Sequence, residues 1–463
     1  MSLLRQGFRP LLALLPGLLL VATAPAQSLA DPVPATLDWP AANSRLLQAA
    51  DGLAAARAGV NRADDLAAAS RWLRLPEVNA EVRRMHLQKT LAVPADALGP
   101  LQPLLGGASS VGVQINDWRT RPLLSAVLPL YTGGKIPAAQ AAARADLAMA
   151  RAELAGERGS QQLQLVQAYF GQQLARQVLA VRSEVLAGLE QHLAQARALE
   201  REGMATAAQR LQAEVARDRA LREQRRSAND LASVEQALAG LLRSNEPVQT
   251  ASPLFVLSQL PDSLAGLVDS ARAQHPQVTR LQAMTDKARS GLAVEQARLK
   301  PQVFLFGQYD FHREDALITD PDWAVGIGVR YTLLSPSMRP LQVRAARAQL
   351  EQASQGLEEA RTQVGIGVQQ AWHAVDSARS QFLLLDSAQA QAAENLRMQE
   401  LSWREGMATS LDVIDARLSL GATGVERVQA AWEFTVALAR LLEVSGRMDA
   451  FDQYRQQADR VLE

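Results

Sequence analysis

Asp412 and Asp415 stand three positions apart in the run Leu411-Asp412-Val413-Ile414-Asp415-Ala416, a spacing that puts both carboxylates on one face of a helix. Such a pair attracts cations, or simply answers the positive end of the helix dipole in a first turn. Other chemistry finds little support. The chain has no cysteine, which excludes thiol catalysis, thiolate metal sites and disulfides. Its five histidines, His86, His192, His275, His312 and His373, form no H-E-x-x-H or other ligand spacing and read as surface or packing residues. There is no G-x-S-x-G, and Gly133-Gly134-Lys135 lacks the spacing of a phosphate-binding loop. No enzyme, metal or cofactor is therefore expected. Lys plus Arg equals Asp plus Glu, 48 each, so no net field draws the chain to nucleic acid.

The segment that must position the two aspartates occurs twice. Arg201-Glu202-Gly203-Met204-Ala205-Thr206 returns as Arg404-Glu405-Gly406-Met407-Ala408-Thr409, a shift of 203 (404 minus 201). Without a gap, the same shift lays Gln167-Ala168-Tyr169 on Gln370-Ala371-Trp372 and Pro137 on Pro340. An inserted residue would turn everything beyond it by about 100°, so both copies keep one helical face from the proline to the threonine. These intervals are rich in strong helix formers and predict helices of roughly 100 Å, which must lie along other helices. Gly203 and Gly406 suit a left-handed C′ position, and Thr206 and Thr409 suit the cap of the next helix. Each copy reads as a helical hairpin whose return arm, Gln209 to Leu242 or Leu411 to Val444, spans roughly 50 Å. In the first copy Gln209 and Gln212 replace the two aspartates.

Around the hairpins the chain divides as follows. Arg5 and Arg9, an apolar run from Leu11 to Ala22 and small residues to Ala30 predict a cleaved export signal over residues 1–30. A first repeat is expected over 31–244, a Pro-containing linker over 245–264 that belts the middle, a second repeat over 265–445, and a polar tail over 446–463. Ser44 to Leu73 and Val278 to Leu299 read as helices stopped at Pro76 and Pro301. Laid end to end with a return arm, each nearly covers the length of a long helix.

Beyond Pro301 the period becomes two. Trp323, Val325, Ile327, Val329, Tyr331 and Leu333 face one way, and Ala324, Gly326, Gly328, Arg330 and Thr332 the other, the dyad pattern of a membrane barrel strand. Val303 to Phe311 is its partner, and Phe304, Phe306, Tyr309, Phe311, Trp323 and Tyr331 together suit an aromatic girdle. The first copy predicts strands from Glu77 and up to Leu130, with 22 extra residues assigned to a loop between about Lys89 and Arg119, or in part to an extension of the second strand over Val111 to Ile115. Corners at Gly133-Gly134 and at Pro336 return the chain to helix. Four strands cannot close a barrel alone, so other copies must complete it.

The order of signal, helix, strand pair, long helix and returning helix, the Tyr131-Thr132-Gly133-Gly134 corner, and Gly406-x-x-Thr409-x-Leu411-Asp412-Val413-Ile414-Asp415-Ala416 together resemble the TolC family of outer membrane efflux proteins. The resemblance covers nearly all of the mature chain. It implies a mostly α protein with membrane β: long hairpins forming an α-barrel through the periplasm, and four strands per chain entering a trimeric 12-stranded barrel in outer membrane lipid. It further implies an exit duct for efflux or type I secretion, working with a periplasmic adaptor and an inner-membrane transporter. Asp412 and Asp415 would ring the periplasmic entrance, where like-charge repulsion raises some carboxyl pKa values. Gly203, Met204, Ala205, Thr206, Gly406, Met407, Ala408 and Thr409 would dock the adaptor. Trp403 and Ala408 stand where some relatives carry latching polar residues. The alternative is a secreted coiled-coil scaffold or adaptor without a pore, which explains the hairpins and leaves the strands without a role.

Overall fold

A computed structural model describes residues 36–94, 110–260, 262–311, 321–333 and 335–462. The predicted signal segment, His312 and the predicted loop residues Pro100, Pro103, Gly106 and Gly107 lie outside the described residues. The first half runs β1 (Thr36–Leu37), α1 (Trp39–Ala49), α2 (Asp51–Arg71), β2 (Glu77–Pro94), β3 (Ser110–Tyr131), α3 (Lys135–Arg201) and α4 (Ala207–Leu241). The second runs β4 (Gln249–Thr250), β5 (Leu254–Val256), α5 (Leu264–Gln274), α6 (Pro276–Ala297), β6 (Gln302–Asp310), β7 (Trp323–Arg330), α7 (Arg339–Arg404), α8 (Ser410–Val444), α9 (Phe451–Gln456) and β8 (Arg460–Leu462).

The long helices have 67 and 66 residues, about 100 Å each, and both return arms have 35. A shift of 203 carries Ala207–Leu241 onto Ser410–Val444 without remainder. The shorter helices stack end to end with the return arms. Arg45 of α1 donates through Nε to the carbonyl of Leu242 at the end of α4 (2.9 Å), and Gly446 beyond α8 lies against His275 and Pro276 at the α5–α6 junction. The helix expected over Ser44 to Leu73 is two helices: Ala50 is extended (φ −68°, ψ 123°) and Asp51 opens a new first turn, where a carboxylate suits the dipole. The break lets α1 bury Trp39 and Leu46 while α2 continues along α3 toward the sheet.

The core sits at the waist, where Trp39, Tyr169, Phe170, Phe255, Phe434 and Phe451 are almost fully buried, each worth about 1.5–3 kcal/mol of apolar transfer. The linker and tail form the belt there. β1 pairs in parallel with β4, and β5 antiparallel with β8. Polar groups of α3 satisfy these short strands: Tyr169 Oη donates to the Leu37 carbonyl (2.7 Å) and accepts from Ser252 N (2.9 Å), while Gln172 Oε1 accepts from Thr250 N (2.9 Å). The tail packs against this core through Phe451, Tyr454 and Leu462.

All four long strands form one antiparallel sheet in the order β2-β3-β6-β7, and β2 and β7 are its edges. The 22-residue excess of the first hairpin resides in the strands themselves. β2 and β3 have 18 and 22 residues against nine and eight in β6 and β7, and they stay paired from Glu77↔Val127 to Pro94↔Ser110. Within the Lys89 to Arg119 interval, 89–94 and 110–119 are strand, and 95–109 lie outside the described residues. Proline and glycine between Pro94 and Gly107 suggest a loop from sequence, yet Pro94 is itself paired in β2, and Pro122 and Pro129 are tolerated inside β3.

Candidate functional site

Each helical tip is a reversal built on a left-handed glycine. Gly203 and Gly406 both adopt φ +76°, a region costly for residues with a Cβ. Gly203 N donates to Glu200 O (3.0 Å) and Met204 N to Leu199 O (2.8 Å); Gly406 N and Met407 N repeat this onto Trp403 O (3.0 Å) and Ser402 O (2.8 Å). These paired bonds satisfy the last carbonyls of α3 and α7. Thr206 and Thr409 then open the return arms with reciprocal caps. Gln209 Oε1 accepts from Thr206 N (2.9 Å) while Gln209 N donates to Thr206 Oγ1 (3.3 Å), and the Asp412 carboxylate accepts from Thr409 N (2.7 Å) while Asp412 N donates to Thr409 Oγ1 (3.3 Å). Met204 and Met407 project from the turns, and Ala205 and Ala408 are half-buried beneath them.

Asp412 and Asp415 share the exposed side of the first turns of α8, while Val413, Ile414 and Ala416 turn inward. Hydrogen bonds from the Thr409 hydroxyl and amide lower the Asp412 pKa. In a single chain Asp412 is thus a helix cap, and like-charge repulsion does not raise it. Asp415, one turn further on, lies outside the cap.

A polar cluster that the sequence did not reveal links the two hairpins behind the tips. His192 of α3 is buried, lies 2.7 Å through Nε2 from Ser410 Oγ at the start of α8, and packs against Trp403 of α7 with ring centroids 4.6 Å apart. Arg417 of α8 pairs with Glu400 of α7 and lays its guanidinium over Gly188 of α3, where a Cβ would collide with it. Burial, then the Arg417 charge, lowers the His192 pKa, and Glu400 opposes them. Ser410 is 218 positions from His192, so no local signal could have joined them.

At the opposite end the corners adopt different solutions. Gly133 and Gly134 take φ +66° and +99°, and a Cβ on Gly133 would meet the Ala297 carbonyl oxygen at 2.8 Å. Pro336 lies in a turn two residues before Met338, which carries the left-handed backbone of that corner (φ +45°) without being glycine.

The sheet separates its faces by register. Trp323, Val325, Ile327 and Val329 of β7 pair with Tyr309, Gly307, Leu305 and Val303 of β6, and this face continues through Leu124, Ala126 and Leu128 of β3 to Val78 and Ala80 of β2. Trp323, Val325, Ile327 and Val329 are each about two-thirds exposed, an apolar stripe with nothing over it. The other face carries Asn79, Glu81, Arg83, Ser125, Gln308 and Arg330, and Arg121 Nε donates to Asp310 across the two hairpins (2.8 Å). Phe304 and Phe306 belong to this polar face and leave the expected girdle. They pair with Gly328 and Gly326, and their rings occupy the space a Cβ on those glycines would need (2.5 and 2.9 Å). Tyr309, Phe311, Trp323 and Tyr331 remain on the apolar side or in line with it.

Residues 267–447 match the family model described as outer membrane efflux protein. The outer membrane efflux protein BepC of Brucella suis biovar 1 (strain 1330) is 25% identical over 346 residues, covering 74% of this chain and 73% of that protein. Among solved structures, the outer membrane protein VceC of Vibrio cholerae superposes with a TM-score of 0.70 at 18% identity, covering 88% of this chain and 96% of that one. The MtrE outer membrane channel of Neisseria gonorrhoeae in its open state gives 0.71 at 17% identity, covering 88% of each chain.

Proposed function

We propose that the chain is an outer membrane efflux protein and the exit duct of a tripartite efflux or type I secretion assembly, built as a homotrimer; the match of residues 267–447 to that family's model and the likeness to BepC support this reading. The observation that carries this is the open sheet: one apolar face, one charged face, two unpaired edges at β2 and β7, and direct continuation into helices of about 100 Å. An unpaired strand edge in hydrocarbon costs several kcal/mol per backbone group, so a lone chain cannot rest in the membrane. Two chains would supply eight strands, whose interior side chains fill; three supply twelve and leave a passage. The charged face then lines water and the apolar face meets lipid.

The helical hairpins extend from that barrel into the periplasm. Their tips, Gly203 to Thr206 and Gly406 to Thr409, are exposed, and the two methionines offer an adaptable apolar contact for a periplasmic adaptor. Beside them Leu211, Val215, Leu411 and Leu418 line an open apolar groove between α4 and α8, which suits the same partner. An inner-membrane transporter would supply energy, and three copies of Asp412 and Asp415 would ring the entrance and favour cations.

Because the chain has no cysteine, edge pairing can be tested without background. Val78→Cys on β2, combined in turn with cysteine at Val325, Ile327 or Val329 on β7, should give on oxidation in membranes a covalent ladder that ends at three chains. A ladder ending at two, or a protein that needs no detergent for extraction and cross-links at no pair, would overturn the trimeric duct.

A further inference from the structure

The apolar face of β2 changes character partway up the strand. Its outward residues run Val78, Ala80, Val82, then Arg84, His86 and Gln88; the paired outward residues of β3 run Ala126, Leu124, Pro122, Thr120, Trp118 and Asn116. The change falls on one compact cluster. The Arg84 guanidinium lies 5.4 Å from the centre of the Trp118 ring, and the His86 ring lies 5.2 Å from it on the neighbouring pair. All three side chains are exposed, Trp118 to 57%.

Register fixes the height of the cluster. Tyr131 stands beside Val303 near the helical end, and Phe311 N donates to the Pro122 carbonyl (3.1 Å) near the far end of β6. Between these two levels β3 climbs about 20–25 Å along the membrane normal, allowing for one bulge and a tilt of about 40°. That is the height of the apolar band of an outer membrane barrel, and the aromatics Tyr309, Phe311 and Trp323 cluster at its upper end. Thr120 with Arg84, and Trp118 with His86, are the next outward pairs beyond Pro122. They stand above the hydrocarbon at headgroup depth, on the side away from the helices.

We propose that Arg84, His86 and Trp118 form a binding site for the phosphorylated headgroup of an outer-leaflet glycolipid. The proposal rests on the reading that the sheet spans the outer membrane with its helices in the periplasm. An outward arginine at this depth faces lipid headgroups, where a phosphate is its natural charge-assisted partner. Trp118 holds the guanidinium by a cation–π contact and gives the sugar an aromatic surface, as interfacial tryptophans do. Among the described residues the second hairpin has no counterpart, because β6 and β7 reach only the aromatic level there. Each chain therefore carries one such site, on the strand pair that extends past the membrane.

The test is native mass spectrometry of the full-length detergent-solubilised protein with bisphosphorylated lipid A, fully dephosphorylated lipid A, or inorganic phosphate. Wild type should retain bisphosphorylated lipid A roughly tenfold more tightly than the dephosphorylated form. The variant Arg84→Gln with His86→Gln should lose that preference, and Trp118→Leu should weaken it, while bilayer conductance stays unchanged. Equal binding of the two lipids, or a preference that survives the double substitution, would overturn the site. Inorganic phosphate that binds as well as the lipid would assign it to a free anion. Loss of lipid preference in a protein that still inserts and conducts removes only this proposal, whereas failure to insert removes the membrane reading with it.

Discussion

The two helical tips share a backbone and differ in what holds them. At the first, Arg197 pairs with Glu214 (2.8 Å) and Arg210 with Glu200 (2.8 Å), in half-exposed ion pairs along one hairpin. Adding 203 to each number gives the second tip, where Glu400 pairs with Arg417 in the opposite polarity, and Trp403 and Val413 replace Glu200 and Arg210. The environment explains the exchange. The equivalent face of the second hairpin packs on α3, where Arg417 lies over Gly188 and Trp403 against His192. The first keeps its face to solvent. One turn geometry thus serves two surroundings, and side chains rather than backbone record which hairpin is inside.

Arg417→Ala gives the largest separation between the tips. Glu400 would be left poorly solvated with no partner, and a gap would open above Gly188, at a cost of about 2 kcal/mol. Arg197→Ala removes an exposed pair and should cost under about 0.5 kcal/mol. Denaturant unfolding of the detergent-solubilised protein measures both. Equal costs would mean that the second tip is no more buried than the first.

The caps come next. Thr206→Ala and Thr409→Ala should each cost about 1 kcal/mol, because both threonines accept the same backbone bond. Acid should separate them. The folded pKa of Asp412 is lowered below 3.8 by the Thr409 hydroxyl and amide, so its contribution is complete above the unfolded value and lost as pH falls through the depressed one. Gln209 does not titrate. Protection of the second tip's amides, taken relative to their intrinsic exchange rate at each pH, should therefore fall below about pH 4, while the first tip shows no matching step. A parallel fall at both would assign the effect to something other than the cap.

These contrasts also mark what the sequence could convey. Both turns were legible because a left-handed glycine followed by a capping threonine is a local demand, met within a few residues. The apolar stripe of β7 was legible because alternation is local too. The side taken by Phe304 and Phe306 is not legible, because an aromatic in a strand signals size and not side; their cross-strand partners Gly328 and Gly326 decide the face. The break at Ala50 is not legible either, because nothing in alanine marks one, and only the need to bury Trp39 at the waist requires it. The His192–Ser410 contact joins two hairpins separated by 218 positions, and periodicity carries no information about such pairs.

The smallest structural change carries the sharpest functional question. Asp412→Gln with Asp415→Gln writes the first tip's residues, Gln209 and Gln212, onto the second. Gln209 already makes this cap in the same turn geometry, so stability near neutral pH should be close to unchanged, as for most surface substitutions. If the aspartates ring a trimeric entrance, block by divalent cations in a planar bilayer should nevertheless fall several-fold, because up to six carboxylates leave one constriction. The reciprocal change, Gln209→Asp with Gln212→Asp, should leave block unaltered, since that return arm would face away from the axis. Unaltered block in the first variant would reduce Asp412 to a helix cap and Asp415 to a solvated neighbour. Increased block in the reciprocal variant would place both tips on the lumen and erase the division between an inner and an outer hairpin.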